Sequence, residues 1–205
     1  MVIRIFKLPF FVPWFLTKTK WNLKARNTVF LTFDDGPHPE ITPWLLSFAK
    51  ENDIPLTFFW LGENAEKNID LIERAKKEGH VVANHGYEHL NSSKTDNEKY
   101  FNNYQKGKAI VPDNLFRPPY GKIKPSVRKI IAKHTPIIMW TRLSYDWDKK
   151  VSDQKIINKL TKGLIGGEIL VFHENDKTKD RIKTLLPKVV EVIQEKGFNF
   201  AKIEL

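Results

Sequence analysis

Five places in the chain hold residue types that can move protons or bind a metal ion. Asp34 and Asp35 stand side by side in Thr32-Phe33-Asp34-Asp35-Gly36-Pro37. His85 and His89 bracket His85-Gly86-Tyr87-Glu88-His89, and Arg117 opens Arg117-Pro118-Pro119-Tyr120-Gly121. Asp146-Trp147 and His173 complete the set. Adjacent carboxylates on an extended chain point opposite ways, so the aspartate pair divides its labour: one can bind a metal ion while the other stands beside the attacking water. Imidazoles at i and i+4 share one face of a helical turn, a spacing that suits one ion. Glu88 is not placed as in the H-E-x-x-H motif, so it is not the general base. Two histidines and a carboxylate leave coordination positions open, which marks a catalytic metal site, and non-haem iron uses a similar triad. The two prolines and the glycine after Arg117 make a stiff loop able to hold a guanidinium against a carboxylate and aim a backbone N–H at substrate. A carboxylate that accepts a hydrogen bond from imidazole favours the protonated ring, so Asp146 would make His173 a competent general acid near neutral pH.

Each group also has a plainer explanation when taken alone. The aspartates fit an Asp-Gly turn with a helix cap. The two histidines fit unrelated surface positions, the Arg-Pro-Pro loop fits a structural turn, and His173 fits a satisfied core histidine. His38, His80 and His134 are read as structural.

The elements that must carry these groups alternate between strand and helix. Short β-branched and aromatic runs predict strands at Thr28–Phe33, Thr57–Leu61, Val81–Ala83, Leu115–Phe116, Pro136–Trp140, Ile169–Phe172 and Phe198–Ile203. Amphipathic segments predict helices opening at Thr42-Pro43 with Thr42 as N-cap, over Asn64–Glu78 with Gly79 behind it, and over Thr95–Ile110. Three more are predicted at Pro125–Lys133, at Asp153–Leu164 capped by Gly166-Gly167, and at Arg181–Lys196. This alternation argues for a parallel sheet or a (β/α) barrel. Asp34 and Asp35 follow the first strand, His85 the third, Arg117 the fourth, Asp146 the fifth, and His173 ends the sixth. In parallel α/β folds the C-terminal strand ends meet on one face, and that face carries the site. Convergence of so many ionisable groups there is hard to explain as a set of solvated loops.

The chain has 205 residues, enough for one domain with a sizeable core, and shows no repeat or linker. The absence of cysteine excludes a disulfide framework, a thiol nucleophile and a cysteine-type zinc site. The net charge of +10 draws the chain to anions, whether nucleic acid or an anionic envelope glycan. Only 7 of its 34 basic residues are arginine, the side chain better suited to reading bases. Residues 1–27 read as an apolar and basic arm packed on a domain spanning 28–205. Within the arm, Leu8–Leu16 is apolar but short and interrupted by prolines, and no small-residue cleavage site follows, which argues against a cleaved signal peptide.

Taken together, the motifs resemble the polysaccharide deacetylases, the NodB-homology domain of carbohydrate esterase family 4. The resemblance runs from about Val29 to the C-terminus, and TFDDGP is its most specific segment. It implies an α/β fold, a distorted, TIM-barrel-like (β/α) barrel of seven strands. It also implies a divalent metal, typically zinc, with cobalt, nickel or manganese as alternatives, and hydrolysis of N-acetyl or O-acetyl groups on sugars such as peptidoglycan, chitin or xylan. By position it makes Asp34 the base and Asp35, His85 and His89 the metal ligands. Arg117 would orient Asp34, Asp146 would pair with His173 as the acid, and the Tyr120 N–H would help hold the oxyanion. Pro119, Tyr120, Trp147 and Val171 would contact substrate. Two positions depart from the family pattern: Gly86 replaces a serine or threonine that stiffens the histidine loop, and Val171 replaces a leucine that shapes the acetyl pocket. The expected partner is an acetylated glycan acted on by a monomer, with no nucleic acid and weak or no membrane contact. Three other readings compete: a small-molecule C–N amidohydrolase on the same scaffold, a non-catalytic glycan-binding protein, and a nucleic-acid binder suggested by charge alone.

Overall fold

The structure, a computed structural model, describes residues 4–9, 17–111 and 113–205. Part of the apolar stretch Leu8–Leu16, residues 10–16, lies outside the described residues. The strands are β1 (Thr19–Lys20), β2 (Thr28–Asp34), β3 (Thr57–Trp60), β4 (Val81–Asn84), β5 (Asp113–Phe116), β6 (Ile137–Ile138), β7 (Arg142–Leu143), β8 (Ile169–His173) and β9 (Asn199–Phe200). The helices are α1 (Ile41–Glu51), α2 (Gly62–Glu66), α3 (Ile69–Lys77), α4 (Asn97–Ile110), α5 (Pro125–Ile131), α6 (Asp153–Thr161) and α7 (Lys179–Glu195).

The strands run in the order β7–β8–β2–β3–β4–β5–β6–β1, every neighbouring pair parallel, with β9 beside the start of β2. β6 and β7 belong to one segment, whose start pairs with β5 and whose end pairs with β8. That segment draws the two sides of the sheet together into a distorted (β/α) barrel. The count exceeds the expected seven because β1 and β7 are two-residue strands with too few residues to show an alternating pattern. β1 pairs with β6, and Asn22 bridges to Glu168 just before β8, so residues 19–22 lie along the seam.

Period-2 alternation sorts the strand residues onto two faces of the sheet. Val29, Leu31 and Phe33 of β2, Phe58 and Trp60 of β3, and Leu170 and Phe172 of β8 belong to the cluster shared with the helices. Phe30, Phe59, Val81, Ala83, Leu115, Ile138 and Ile169 form a separate cluster on the other face, inside the barrel. Continuing the alternation puts Thr32 and Asp34 of β2, and Val171 and His173 of β8, on that inner face.

Local boundaries depart from expectation where side chains find tertiary partners. Thr42 is not an N-cap: its Oγ1 accepts from the His38 N–H at 2.8 Å and donates to Glu174 Oε2 at 2.9 Å, and α1 starts one residue earlier. The helix expected over Asn64–Glu78 is two helices broken at Lys67-Asn68. α6 stops at Thr161, before Gly163 rather than at Gly166-Gly167. There the Arg142 guanidinium donates to the carbonyls of Lys159, Lys162 and Gly163.

Arg142 is 1% exposed and Glu168 is 1% exposed, joined at 2.6 Å, with Lys7 at 2.9 Å from the other carboxylate oxygen. Losing one partner of a buried pair strands the other charge. Glu168→Ala should therefore cost about 3 kcal/mol of stability in urea unfolding. A loss below about 1 kcal/mol would mean that the three backbone carbonyls suffice for Arg142.

Candidate active site

Asp34 ends β2, and its Cα registers directly with His173 at the end of β8. Both side chains therefore project from neighbouring strands at the C-terminal mouth of the barrel. Arg117, following β5, is fully buried and reaches across beneath them. Its Nη1 donates to Asp34 Oδ1 at 2.7 Å and to Thr32 Oγ1 at 2.7 Å. Nη2 donates to the Met139 carbonyl at 2.9 Å, and the guanidinium lies 4.0 Å from the centre of the Phe59 ring. Burial pushes its pKa down, opposed by the Asp34 carboxylate.

Asp35 breaks the strand with φ +77°, a left-handed conformation uncommon outside glycine, and turns away from Asp34's side. His85 lies just beyond β4, and its Nδ1–H donates to the Arg117 carbonyl at 2.8 Å. That bond leaves the Nε2 lone pair free, facing Asp35 Oδ1 at 3.6 Å. His89 Nε2 faces the same oxygen at 3.3 Å. The histidines are not on a helical turn as their spacing predicts. A bend carries them together, with Gly86 at φ +90°, where a side chain would be strained. The loop keeps its shape without a hydroxyl at that position: the Gly86 N–H donates to Asn84 Oδ1 at 2.7 Å, and Asn84 Nδ2 donates to the Tyr104 carbonyl at 2.9 Å.

Asp35, His85 and His89 fit a divalent ion. Their ligand atoms lie within 4.8 Å of one another. Asp35 Oδ1 is buried with no hydrogen-bond partner. Two ligand atoms sharing one tetrahedral zinc stand about 3.4 Å apart, given metal–ligand distances of about 2.1 Å. The observed separations of 3.3 and 3.6 Å bracket that value. Burial lowers the pKa of both imidazoles, that of His89 to about 4 with His85 adding to the effect, so both rings offer a lone pair. Burial opposes the Asp35 charge, but His173, His85, His89 and the Asn175 amide bring its pKa below the usual carboxylate value.

His173 closes the opposite side. Burial disfavours its imidazolium, yet the Asp146 carboxylate, bonded to Nδ1 at 2.8 Å, lifts its pKa to about 9. The other Asp146 oxygen accepts the His173 backbone N–H at 2.8 Å, so both ends of the residue are held. The Trp147 ring stands edge-on to the imidazole, centroids 4.4 Å apart.

These groups line one cavity of about 400 Å³, with Tyr120, Gly121, Lys122, Trp140, Leu143, Val171, Asn175 and Lys177 completing its wall. Tyr120 takes φ +59° in a 3-10 turn at Pro119–Gly121, and its ring packs 4.3 Å from His89. Gly121 admits the Trp140 ring, which a Cβ there would strike. Arg117 and Asp146 are not cavity-lining: they stand behind Asp34 and His173. Pro119 is buried and does not line the cavity either, since the turn presents Tyr120 and Gly121 instead.

The structure also adds residues that the sequence reading missed. Thr32 shares Arg117 with Asp34. Glu174 is buried on the far side of the Asp34–Gly36 loop, its Oε2 accepting from Trp60 Nε1 at 3.0 Å and from Thr42. Burial raises its pKa to about 8 against those two bonds. Asn175 donates to Asp35 Oδ2 at 2.8 Å. Their only sequence signal is their place directly after the strand-ending histidine.

With this geometry in view, the comparisons with known proteins are decisive. The sequence profile of the polysaccharide deacetylase family matches residues 22–136, more than half of the chain. The chain belongs to the polysaccharide deacetylase family, the NodB-homology domain of carbohydrate esterase family 4. It is 33% identical over 183 residues to a peptidoglycan-N-acetylglucosamine deacetylase of Bacillus cereus, covering 85% of this chain and 66% of that relative. Among solved structures it resembles the Bc1960 peptidoglycan N-acetylglucosamine deacetylase, with TM-score 0.84, 30% identity, and 96% and 95% of the two chains covered. It also shares its fold with BA3943 of Bacillus anthracis, described as a family pseudoenzyme, at TM-score 0.77 and 23% identity over 89% of this chain and 66% of that one. Among polysaccharide deacetylases the fold thus occurs with and without activity, and the side chains must decide.

The raised His173 pKa sets a pH window. The folded value of about 9 exceeds the ordinary 6.5, so the stability contributed by the His173–Asp146 pair is complete below about pH 6.5 and is lost as pH rises through about 9. In the metal-free protein, Asp146→Asn should lower the His173 titration seen by NMR and flatten the melting temperature across that window. An unchanged titration would show that Asp146 does not hold the proton on His173.

Proposed function

We propose that this polysaccharide deacetylase is a metal-dependent enzyme that removes N-acetyl groups from N-acetylglucosamine units of a cell-wall glycan, with peptidoglycan as the preferred class. The observation that carries this reading is the register of Asp34 with His173. It sets a carboxylate held by Arg117 and an imidazole held by Asp146 on adjacent strand ends, beside the Asp35–His85–His89 cluster.

A divalent cation held by Asp35, His85 and His89 would supply a Lewis acid that polarises the acetyl carbonyl and acidifies water. Asp34 accepts the proton of the water that attacks the carbonyl carbon. The Tyr120 backbone N–H, which has no acceptor among the described residues, donates to the developing oxyanion. His173 carries its proton on the ring nitrogen opposite the Asp146 bond and delivers it to the departing sugar nitrogen as the C–N bond breaks. That delivery matters most for an amide, because an unprotonated amine anion is a poor leaving group. Leu143, Trp147 and Val171 give the cavity an apolar wall suited to an acetyl methyl group.

Two observations favour an anionic envelope glycan over neutral chitin. The chain carries a net charge of +10. Lys122 and Lys177 border the cavity, and neither ammonium pairs with an acid among the described residues.

Acetate release should be seen from peptidoglycan and N-acetylglucosamine oligomers with zinc present and should stop with chelator. Asp34→Asn should lower turnover about 10³-fold with metal still bound. His173→Ala should slow amide substrates far more than an activated acetyl ester. Near-normal turnover in Asp34→Asn would remove Asp34 as base, and absence of release from every glycan would remove the deacetylase reading. Replacing Lys122 and Lys177 with Gln should raise KM for peptidoglycan several-fold and leave KM for neutral oligomers nearly unchanged. Equal effects on both substrates would dismiss the charge argument.

A further inference from the structure

Asp35 is the sole carboxylate of the three-residue cluster, and two asparagine amides hold it from different elements. Asn64, in the first turn of α2, donates from Nδ2 to the Asp35 backbone carbonyl at 2.9 Å, securing the residue in its left-handed conformation. Asn175, two residues after His173, donates from Nδ2 to Asp35 Oδ2 at 2.8 Å. The orientation of the Asn175 amide is itself determined. Its Oδ1 accepts the Lys177 backbone N–H at 3.0 Å, so only the NH₂ end is left for the carboxylate. The loop around it is tied as well: the Asn175 N–H donates to Thr178 Oγ1 at 3.2 Å, and that hydroxyl lies 2.7 Å from the His173 carbonyl, to which it donates.

The consequence falls on the other oxygen. With Oδ2 taken by Asn175, Oδ1 is the Asp35 atom left facing both imidazoles, and it is the one buried without a partner. We infer that Asn175 is a positioning residue for the metal centre, holding one oxygen of Asp35 so that the other is presented alone to the ion. The inference rests on reading Asp35, His85 and His89 as that centre.

The chemistry of the position explains why an amide stands there. A carboxylate at 175 would keep the Lys177 N–H bond but set an acceptor against Asp35 Oδ2. A lysine or arginine would bring a formal charge that competes with the ion for Asp35. A neutral donor orients the carboxylate and leaves its charge for the metal. Single-oxygen ligation keeps the coordination number low, which suits zinc, cobalt or nickel better than ions that gather six to eight oxygens. Hydrogen-bond partners of metal-ligating groups are typically worth about 10–100-fold in affinity.

The test measures zinc affinity of the full chain by competition with a chromophoric chelator, alongside the melting temperature of the metal-free protein. Asn175→Ala removes the amide. Asn175→Ser keeps a short acceptor for the Lys177 N–H, and with it the loop turn, but cannot reach Asp35. Both variants should bind zinc about 10–100-fold more weakly while the metal-free melting temperature stays close to wild type. Wild-type affinity in both variants would overturn the positioning role. So would a fall in affinity matched by a fall in metal-free melting temperature, since a loop-stabilising residue gives that result. Failure of the wild-type chain itself to bind zinc would instead overturn the metal centre on which the inference rests.

Discussion

The site depends on one buried cation. Arg117 has no exposed surface, and an unpaired guanidinium at that depth would cost more than the fold could offset. Its partners therefore have to be in place: Asp34 and Thr32 from β2, and the carbonyls of Ile138 and Met139 from the β6 end of the closing segment. The same residue's backbone carbonyl receives His85 Nδ1–H. One arginine thus orients the proposed base with its side chain and a proposed metal ligand with its main chain. It also ties β2, β5 and the closing segment together beneath the cavity floor, so the geometry of the chemistry and the closure of the barrel are a single constraint.

Much of this is legible in the sequence itself. Long buried strands such as Thr28–Asp34 announce themselves by continuous apolar and β-branched residues, and polar groups at their C-terminal ends stand out against that background. All seven expected strands are present in whole or in part, and Asp34, Asp35, His85, His89 and His173 meet in one cavity. What escaped was decided by distant partners. β1 and β7 exist because β6 and β8 offer them open edges, not because two residues carry a pattern. Thr42 looks like a cap, but Glu174 claims its hydroxyl from 132 positions away. The histidine spacing is compatible with a helical turn, and only Gly86 together with the Asn84 amide selects a bend instead. Glu174 and Asn175 follow His173 in sequence yet serve opposite faces of the Asp34–Gly36 loop, a division that period-2 alternation anticipates only once the strand's inner face is known.

The departures from the family pattern can be weighed in the same terms. Gly86 lacks the hydroxyl common at its position, but a side chain there would require φ +90° and would press on Asn103 Nδ2 at 2.8 Å. The loop is anchored instead through Asn84, whose Oδ1 accepts the Gly86 N–H and whose Nδ2 donates to the Tyr104 carbonyl. Val171 is fully buried and still borders the cavity. A leucine would extend further into that space, so valine leaves a slightly roomier wall beside Leu143 and Trp147. In the proposed mechanism Val171 takes no part in the proton transfers.

The two sides of the cavity are built as electrical opposites. On one side the proposed base, a carboxylate, is held by a buried cation, and on the other the proposed acid, an imidazole, is held by a buried anion: Arg117 with Asp34, Asp146 with His173. Each couple is close to neutral by itself, so neither burdens the interior with net charge. In the proposed mechanism a proton leaves the water toward Asp34 while another leaves His173 toward the amine, and neither Arg117 nor Asp146 takes part in a transfer. The partner of each group thus retains its electrostatic role before and after transfer, and the surroundings need little reorganisation. The BA3943 comparison shows that a similar barrel can stand as a pseudoenzyme. In the present chain the barrel carries both couples complete, and with them the Asp35 oxygen that faces both imidazoles without a hydrogen-bond partner among the described residues.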